Sequence, residues 1–213
     1  MLDLLNHTLF HLFGAATSVA EVLGFLSGAA CVWLVVRQNV WTFPLGAINA
    51  VLFGILFFAA GLYADGSLQI VYLVLQVFGW YAWLRFGPAQ TQLRVTTASR
   101  AVVMTTAAGV ALGTVVLTYV LRAVDDTAPF WDALTTAMSL GAQTLLSYKK
   151  LENWWLWIAA DIIYIPLYVS KGLVLTSLVY VIFLGMCVAG LVEWRRHLAP
   201  ETAAEPERAL VTV

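Results

Sequence analysis

Charged side chains are what this sequence has least of. Only 11% of its 213 residues are Asp, Glu, Lys or Arg, where a soluble domain carries about 25%. With 62% of the residues hydrophobic, a globular chain could not cover its surface with polar groups, so lipid must solvate much of it. Cysteine is nearly absent. Cys31 and Cys187 lie inside apolar runs, which excludes a disulfide framework and a thiolate metal site. A net charge of −1 leaves no basic excess to bind nucleic acid. The N-terminus lacks a basic region followed by a short apolar stretch and a small-residue cleavage site, so no removable signal peptide is expected. Catalytic motifs are missing too: there is no Walker-type phosphate loop, HExxH, GxSxG or CxxC. No nucleophile–base pair can be assembled from residues inside the apolar runs. An enzyme, an ATP-driven pump, a bound cofactor and a metal site are therefore not expected. A retinal protein would need a lysine within its last span, and Lys171 only borders it.

What the chain does have is apolar length. Seven runs approach the roughly 20 residues that cross a bilayer as a helix: Val19–Val36, Trp41–Ala60, Ser67–Leu84, Ala101–Leu121, Phe130–Leu146, Trp154–Ser170 and Leu173–Val192. Turn and charge signals separate them, among them Arg37-Gln38-Asn39, Asp65-Gly66, Asp125-Asp126, Lys149–Glu152 and Lys171-Gly172. Leu2–Phe13 reads as an interfacial amphipathic helix. With the N-terminus outside, nine of the eleven Lys and Arg fall on the inner side (Arg37, Arg85, Arg94, Arg100, Lys149, Lys150, Arg195, Arg196, Arg208), leaving Arg122 and Lys171 outside. This bias predicts an outer N-terminus and a cytoplasmic C-terminus. The tail after Arg196, with Pro200, Pro206 and several Glu, reads as disordered.

A shift of 111 residues lays the first three spans on the last three without gaps. Glu21 meets Asp132, Phe53 meets Tyr164, Phe57 meets Tyr168, and Gly61 and Leu62 meet Gly172 and Leu173. Gly79 meets Gly190, Trp83 meets Trp194, and Arg85 meets Arg196. The copies start four spans apart, so both face the same way across the membrane. The expected fold is an all-α integral membrane protein of seven helices in a 3+1+3 parallel-repeat arrangement. Residues 1–18 form the interfacial segment, 19–86 the first repeat, 87–129 a loop and linker helix, 130–194 the second repeat and 195–213 the tail. Transporters built from parallel repeats hold their substrate between the units, near the midplane.

Polar groups within the spans should turn away from lipid, toward one another or toward a cavity. In the sixth span Trp154, Trp157, Asp161 and Tyr164 recur at steps of three, four and three, on one helical face. Asp161 is a carboxylate at mid-span, a candidate acceptor for hydroxyls or a partner for a cationic ring. Trp154 and Trp157 read as a flat wall for stacking such a ring. Gln69, Tyr72, Gln76, Gly79 and Trp83 share a face of the third span. Asn49, Gln143 and Tyr180 add two amides and a hydroxyl from the second, fifth and seventh spans. Each of these amides could equally tie one helix to another. The candidate binding set is Trp154, Trp157, Asp161, Asn49, Gln69, Tyr72, Gln76, Gln143, Tyr164 and Tyr180.

The run Trp41-Thr-Phe-Pro-Leu-Gly-Ala-Ile-Asn49, the loop Gly61-Leu-Tyr-Ala-Asp65, the stretch from Leu68-Gln69 to Gly79-Trp-Tyr-Ala-Trp83, and Glu152-Asn-Trp-Trp-Leu-Trp-Ile-Ala-Ala-Asp161 resemble the PnuC vitamin transporters. The resemblance covers about residues 18–196, and Trp154 and Trp157 before Asp161 are its most specific part. It implies the three-plus-one-plus-three fold, similar to the SWEET sugar carriers but full-length in one chain. It implies facilitated diffusion of nicotinamide riboside, thiamine or riboflavin across the bacterial cytoplasmic membrane, with trapping by a cytoplasmic kinase. Glu152-Asn-Trp-Trp-Leu-Trp and the Leu-Tyr-x-Asp loop are most similar to the nicotinamide riboside branch. The resemblance also suggests a homotrimer.

Overall fold

The structure, a computed structural model, describes residues 8–12, 15–59, 63–124, 127–170 and 174–198. Among the described residues, seven α-helices stand on the seven predicted runs: α1 Val19–Val36, α2 Thr42–Ala59, α3 Tyr63–Arg85, α4 Arg100–Ala123, α5 Pro129–Ser147, α6 Asn153–Ser170 and α7 Val174–Arg196. Apolar counting misplaces some ends. α3 begins four residues before the run at Ser67, and α7 continues four past Val192 to Arg196. A charge ends a hydrophobic run without ending the hydrogen-bonded helix, which continues toward the headgroups. Local chemistry sets other ends. Ser99 accepts from the Val102 N–H and caps α4, and Pro129 occupies the first position of α5, where no N–H is required.

The expected interfacial helix is corrected over Thr8–Leu12. That segment is strand β1, paired antiparallel with β2, Ala15–Ser18. Only Phe13 and Gly14 separate the strands in sequence, a spacing suited to a two-residue hairpin. The rest of Leu2–Phe13, the Gly61/Gly172 and Leu62/Leu173 pairs, and the tail from residue 199 lie outside the described residues.

The helices are apolar outward and polar inward, the reverse of a soluble bundle. On α3, Ile70, Val71, Val74 and Val77 are exposed while Gln69, Tyr72 and Gln76 turn inward. An outer surface of this kind is stable only against hydrocarbon, and the chain is a multi-pass membrane protein. Gly66–Arg85, Arg100–Ala123 and Thr176–Arg196 meet the length and hydropathy of a span. The 18-residue α1, α2 and α6 reach about 27 Å, close to the ~30 Å hydrocarbon thickness.

Packing arranges six helices in a closed ring. α1 contacts α2, α2 contacts α3, α3 contacts α5, α5 contacts α6, α6 contacts α7, and α7 returns to α1. α4 lies outside this ring, against α5. The 111-residue offset reappears in the backbone. Gln38 N–H bonds Val35 O and Lys149 N–H bonds Leu146 O; Asn39 bonds Leu34 and Lys150 bonds Leu145; Thr42 bonds Asn39 and Asn153 bonds Lys150. Gln38 and Lys149 also share a left-handed backbone, φ 53° and 54°.

The densest core lies at one end of the ring. There Phe43, Trp83, Val95, Leu146, Trp154, Leu191 and Trp194 pack together. This is the basic end, since Arg37, Arg85, Lys149, Lys150, Arg195 and Arg196 surround it in the chain. The α3–α4 linker is strapped across it. The Thr96 N–H donates to Lys149 O and the Thr96 carbonyl accepts from the Leu151 N–H, both on the α5–α6 turn, and the Ala98 N–H donates to Glu152. Lys149 lies over the Trp83 ring at 4.4 Å and donates to Leu93 O. Burial pulls its ammonium down from 10.5 to about 8.

Candidate functional site

A cavity of about 350 Å³ occupies the middle of the ring. Each of the six ring helices contributes to its lining, and the lining holds no residue of α4. All ten residues of the candidate set border it: Asn49 from α2; Gln69, Tyr72 and Gln76 from α3; Gln143 from α5; Trp154, Trp157, Asp161 and Tyr164 from α6; and Tyr180 from α7. The inward periodicity brought them together. Burying their polar edges against one another is the arrangement that keeps them out of hydrocarbon.

Which of these groups are free to meet a ligand is decided by their neighbours. Asn49 spends its Nδ2 on Ser27 Oγ at 2.5 Å, tying α2 to α1. The Gln76 amide lies over Gly46, where a Cβ would collide with it. Tyr72 and Ser139 share a hydroxyl contact across the α3–α5 seam. Asp161 is only 4% exposed and is approached by the Cys187 thiol. Its Oδ2, the Gln143 Nε2 and the Trp154 Nε1 are buried without a partner among the described residues. Two donors and one carboxyl oxygen are therefore left unsatisfied on residues that line the cavity, and among the described residues no Lys or Arg lines it. Buried polar groups of this kind normally find partners.

The aromatic residues divide into two groups along α6. The paired stacking wall expected of Trp154 and Trp157 is not what forms. Trp154 is 1% exposed, meets Trp194 edge-to-face at 5.5 Å and fills the space above Gly190, where a Cβ would strike it. Its ring belongs to the end wall, which leaves Trp157 as the partly open indole. Toward the other end, Tyr164, Tyr168 and Tyr180 stack at centroid distances of 4.6–5.5 Å, with Phe183 against Tyr180 at 5.7 Å.

Several lining residues were not in the candidate set: Gly28, Cys31, Thr42, Ser139, Phe183 and Cys187. Some were legible. Ser139 precedes Gln143 by one turn, and Phe183 and Cys187 continue the face of Tyr180. Gly28 carries no chemical signal, and it borders the cavity because Phe183 packs over it.

Comparison with known proteins agrees with this architecture. The profile of the nicotinamide mononucleotide transporter family matches residues 18–196. The nicotinamide riboside transporter PnuC of Escherichia coli strain K12 is 28% identical, covering 85% of this chain and 87% of its own. The riboflavin/roseoflavin transporter RibM of Streptomyces davaonensis is 26% identical over 95% of this chain and 98% of its own. A crystal structure of the vitamin B3 transporter PnuC shares the fold, with a TM-score of 0.61, 24% identity, and coverage of 82% of this chain and 81% of that one.

Proposed function

The chain belongs to the nicotinamide mononucleotide transporter family, a vitamin transporter of the PnuC type, and from that premise we propose that it carries nicotinamide riboside by facilitated diffusion. One observation carries the choice of substrate. Asp161 carries a buried carboxyl oxygen without a partner, in a cavity with no basic side chain among its described lining residues. An uncompensated charge at that depth is costly, and a cationic pyridinium ring supplies the missing charge. Trp157 and Tyr164 offer it aromatic faces, while Gln143 and the Trp154 N–H offer donors to its carboxamide and ribose oxygens. The six-helix ring with α4 outside and the repeated backbone register support reading the chain as two parallel three-helix units joined by a linker helix. Access alternates by rocking one unit on the other. The substrate is retained inside by cytoplasmic phosphorylation, in a bacterial inner membrane with the C-terminus in the cytoplasm. Each protomer of a homotrimer then holds its own pathway.

Riboflavin is the second reading, favoured by the match to RibM along 95% of this chain; thiamine, which is cationic, would also suit Asp161. A thermal-shift series on purified protein separates them, because a ligand that binds only the folded state raises its apparent stability. Nicotinamide riboside is expected to give the largest shift. A larger one from riboflavin or thiamine overturns the assignment.

A further inference from the structure

Two indoles pack at the basic end behind the cavity-lining Val35, Leu146 and Trp154, and they are held in the same way from opposite halves of the chain. Trp83 of α3 donates its Nε1–H to the Leu146 carbonyl of α5, and Trp194 of α7 donates to the Val35 carbonyl of α1, each at 2.9 Å and buried. Both the donors and the acceptors are 111 residues apart. One indole bond therefore crosses each of the two seams, α3–α5 and α7–α1, where the first three helices meet the last three.

The acceptors are prepared by local chemistry. Val35 and Leu146 lie in the last turns of α1 and α5, where carbonyls lack an intrahelical partner and sit at the negative end of the helix dipole. Gln38 and Lys149 turn left-handed just beyond, and their N–H groups occupy one lone pair of each carbonyl at 2.9 and 2.8 Å. The second lone pair is left for an indole. The rings are wedged in place: Trp83 meets Phe43 at 5.0 Å and Trp194 at 5.9 Å. Gly79 and Gly190 leave the room that Phe43 and Trp154 fill, again at the same offset. Beside the cavity the same offset holds in position but not in chemistry. Tyr72 meets Ser139 on one seam, and Phe183 lies over Gly28 on the other. The pairing is thus kept throughout, and only its polarity changes at the site.

We infer that Trp83 and Trp194 form a paired latch, one bond on each seam, and that both bonds break together when the cavity opens at the basic end. The inference rests on the transport reading and on its two rocking units. An apolar seam slides with little penalty, whereas an indole N–H withdrawn in a dry core meets no other acceptor. The latch therefore makes the closed end a defined state. Because each unit supplies one donor and one acceptor, separating the units at this end lengthens both bonds at once.

The chain carries its own reporters, since Cys31 and Cys187 are its only cysteines and both border the cavity. Right-side-out and inside-out membrane vesicles containing the protein are treated with a membrane-impermeant maleimide, and Cys31→Ser and Cys187→Ser identify the thiol that reacts. Trp83→Phe and Trp194→Phe keep a ring and lose the N–H. Each is expected to speed labelling from the basic end about fivefold, and the pair about thirtyfold, the worth of one and two net hydrogen bonds. Labelling from the other end should not rise. Unchanged rates, an effect of only one tryptophan, or an equal rise from both ends overturns the latch. If a variant fails to fold, the wild type decides instead: the ¹⁵N-labelled indole N–H groups of Trp83 and Trp194 should exchange with solvent at one common rate, and two distinct rates overturn it. Nicotinamide riboside binding to the wild type tests the transport reading separately, so either idea can fail alone.

Discussion

At the scale of single residues, the fold matches some of the inward polar atoms and leaves others unmatched. Asp161, Gln143 and Trp154 each keep one buried atom without a partner, while Asn49 spends its amide on a helix tie. Asp161→Asn keeps the shape and removes the charge. It should weaken nicotinamide riboside binding by about 1.5–3 kcal/mol, ten- to hundredfold, the worth of a charge-assisted contact. Calorimetric titration of the purified variant measures this, and near wild-type affinity would remove Asp161 from the site. Trp157→Ala should lose a smaller amount, about 0.5–2 kcal/mol, the worth of a cation–π face. Asn49 illustrates how little type and spacing reveal alone, for an amide on an inward face can serve a ligand or a neighbouring helix, and only the position of Ser27 decides.

At the scale of elements, the α5–α6 turn does two jobs. Its left-handed residue Lys149 takes one lone pair of the Leu146 carbonyl and leaves the other to Trp83, and its side chain pins the α3–α4 linker through Leu93. Burial holds the Lys149 ammonium near pH 8 rather than 10.5, and the sign of its effect follows. Below about pH 8 both folded and unfolded chains carry the proton, and the cost of burying it is constant. Between about 8 and 10.5 the folded protein has released it and the unfolded chain has not, so stability rises with pH across that window. Thermal unfolding of wild type relative to Lys149→Met should show this rise, which a flat difference would contradict. The strap itself left no trace in composition. Thr96, Ala98 and Glu152 are ordinary loop residues until the linker folds back onto the turn.

At the scale of the whole molecule, the charge bias and the ring together predict sidedness. All the basic residues around the Trp83–Trp194 closure should face the cytoplasm. A fluorescent protein fused after Val213 should fluoresce, and alkaline phosphatase fused there should stay inactive; the converse would invert the topology. Proteoliposomes should equilibrate labelled nicotinamide riboside with no ion gradient or ATP, and net accumulation would contradict facilitated diffusion.

The sequence by itself determined the number of helices, their order, the inward faces and the 111-residue register. In lipid the apolar run and the unsatisfied backbone leave helix as the stable choice, and a polar residue on a helix must point away from hydrocarbon. The ten candidate residues therefore met at one cavity. The short strands at Thr8–Leu12 and Ala15–Ser18 escaped this reading, because a brief alternating stretch satisfies a helical face and a hairpin alike. Tertiary structure alone decided the ring closure through α3–α5 and α7–α1, the exclusion of α4, and the removal of Trp154 from the stacking wall. It alone paired each tryptophan with a carbonyl of the opposite half. Those outcomes depend on which helices touch, as where Trp83 reaches Leu146 and Trp194 reaches Val35 across the seams, contacts between residues whose types carry no record of their partners.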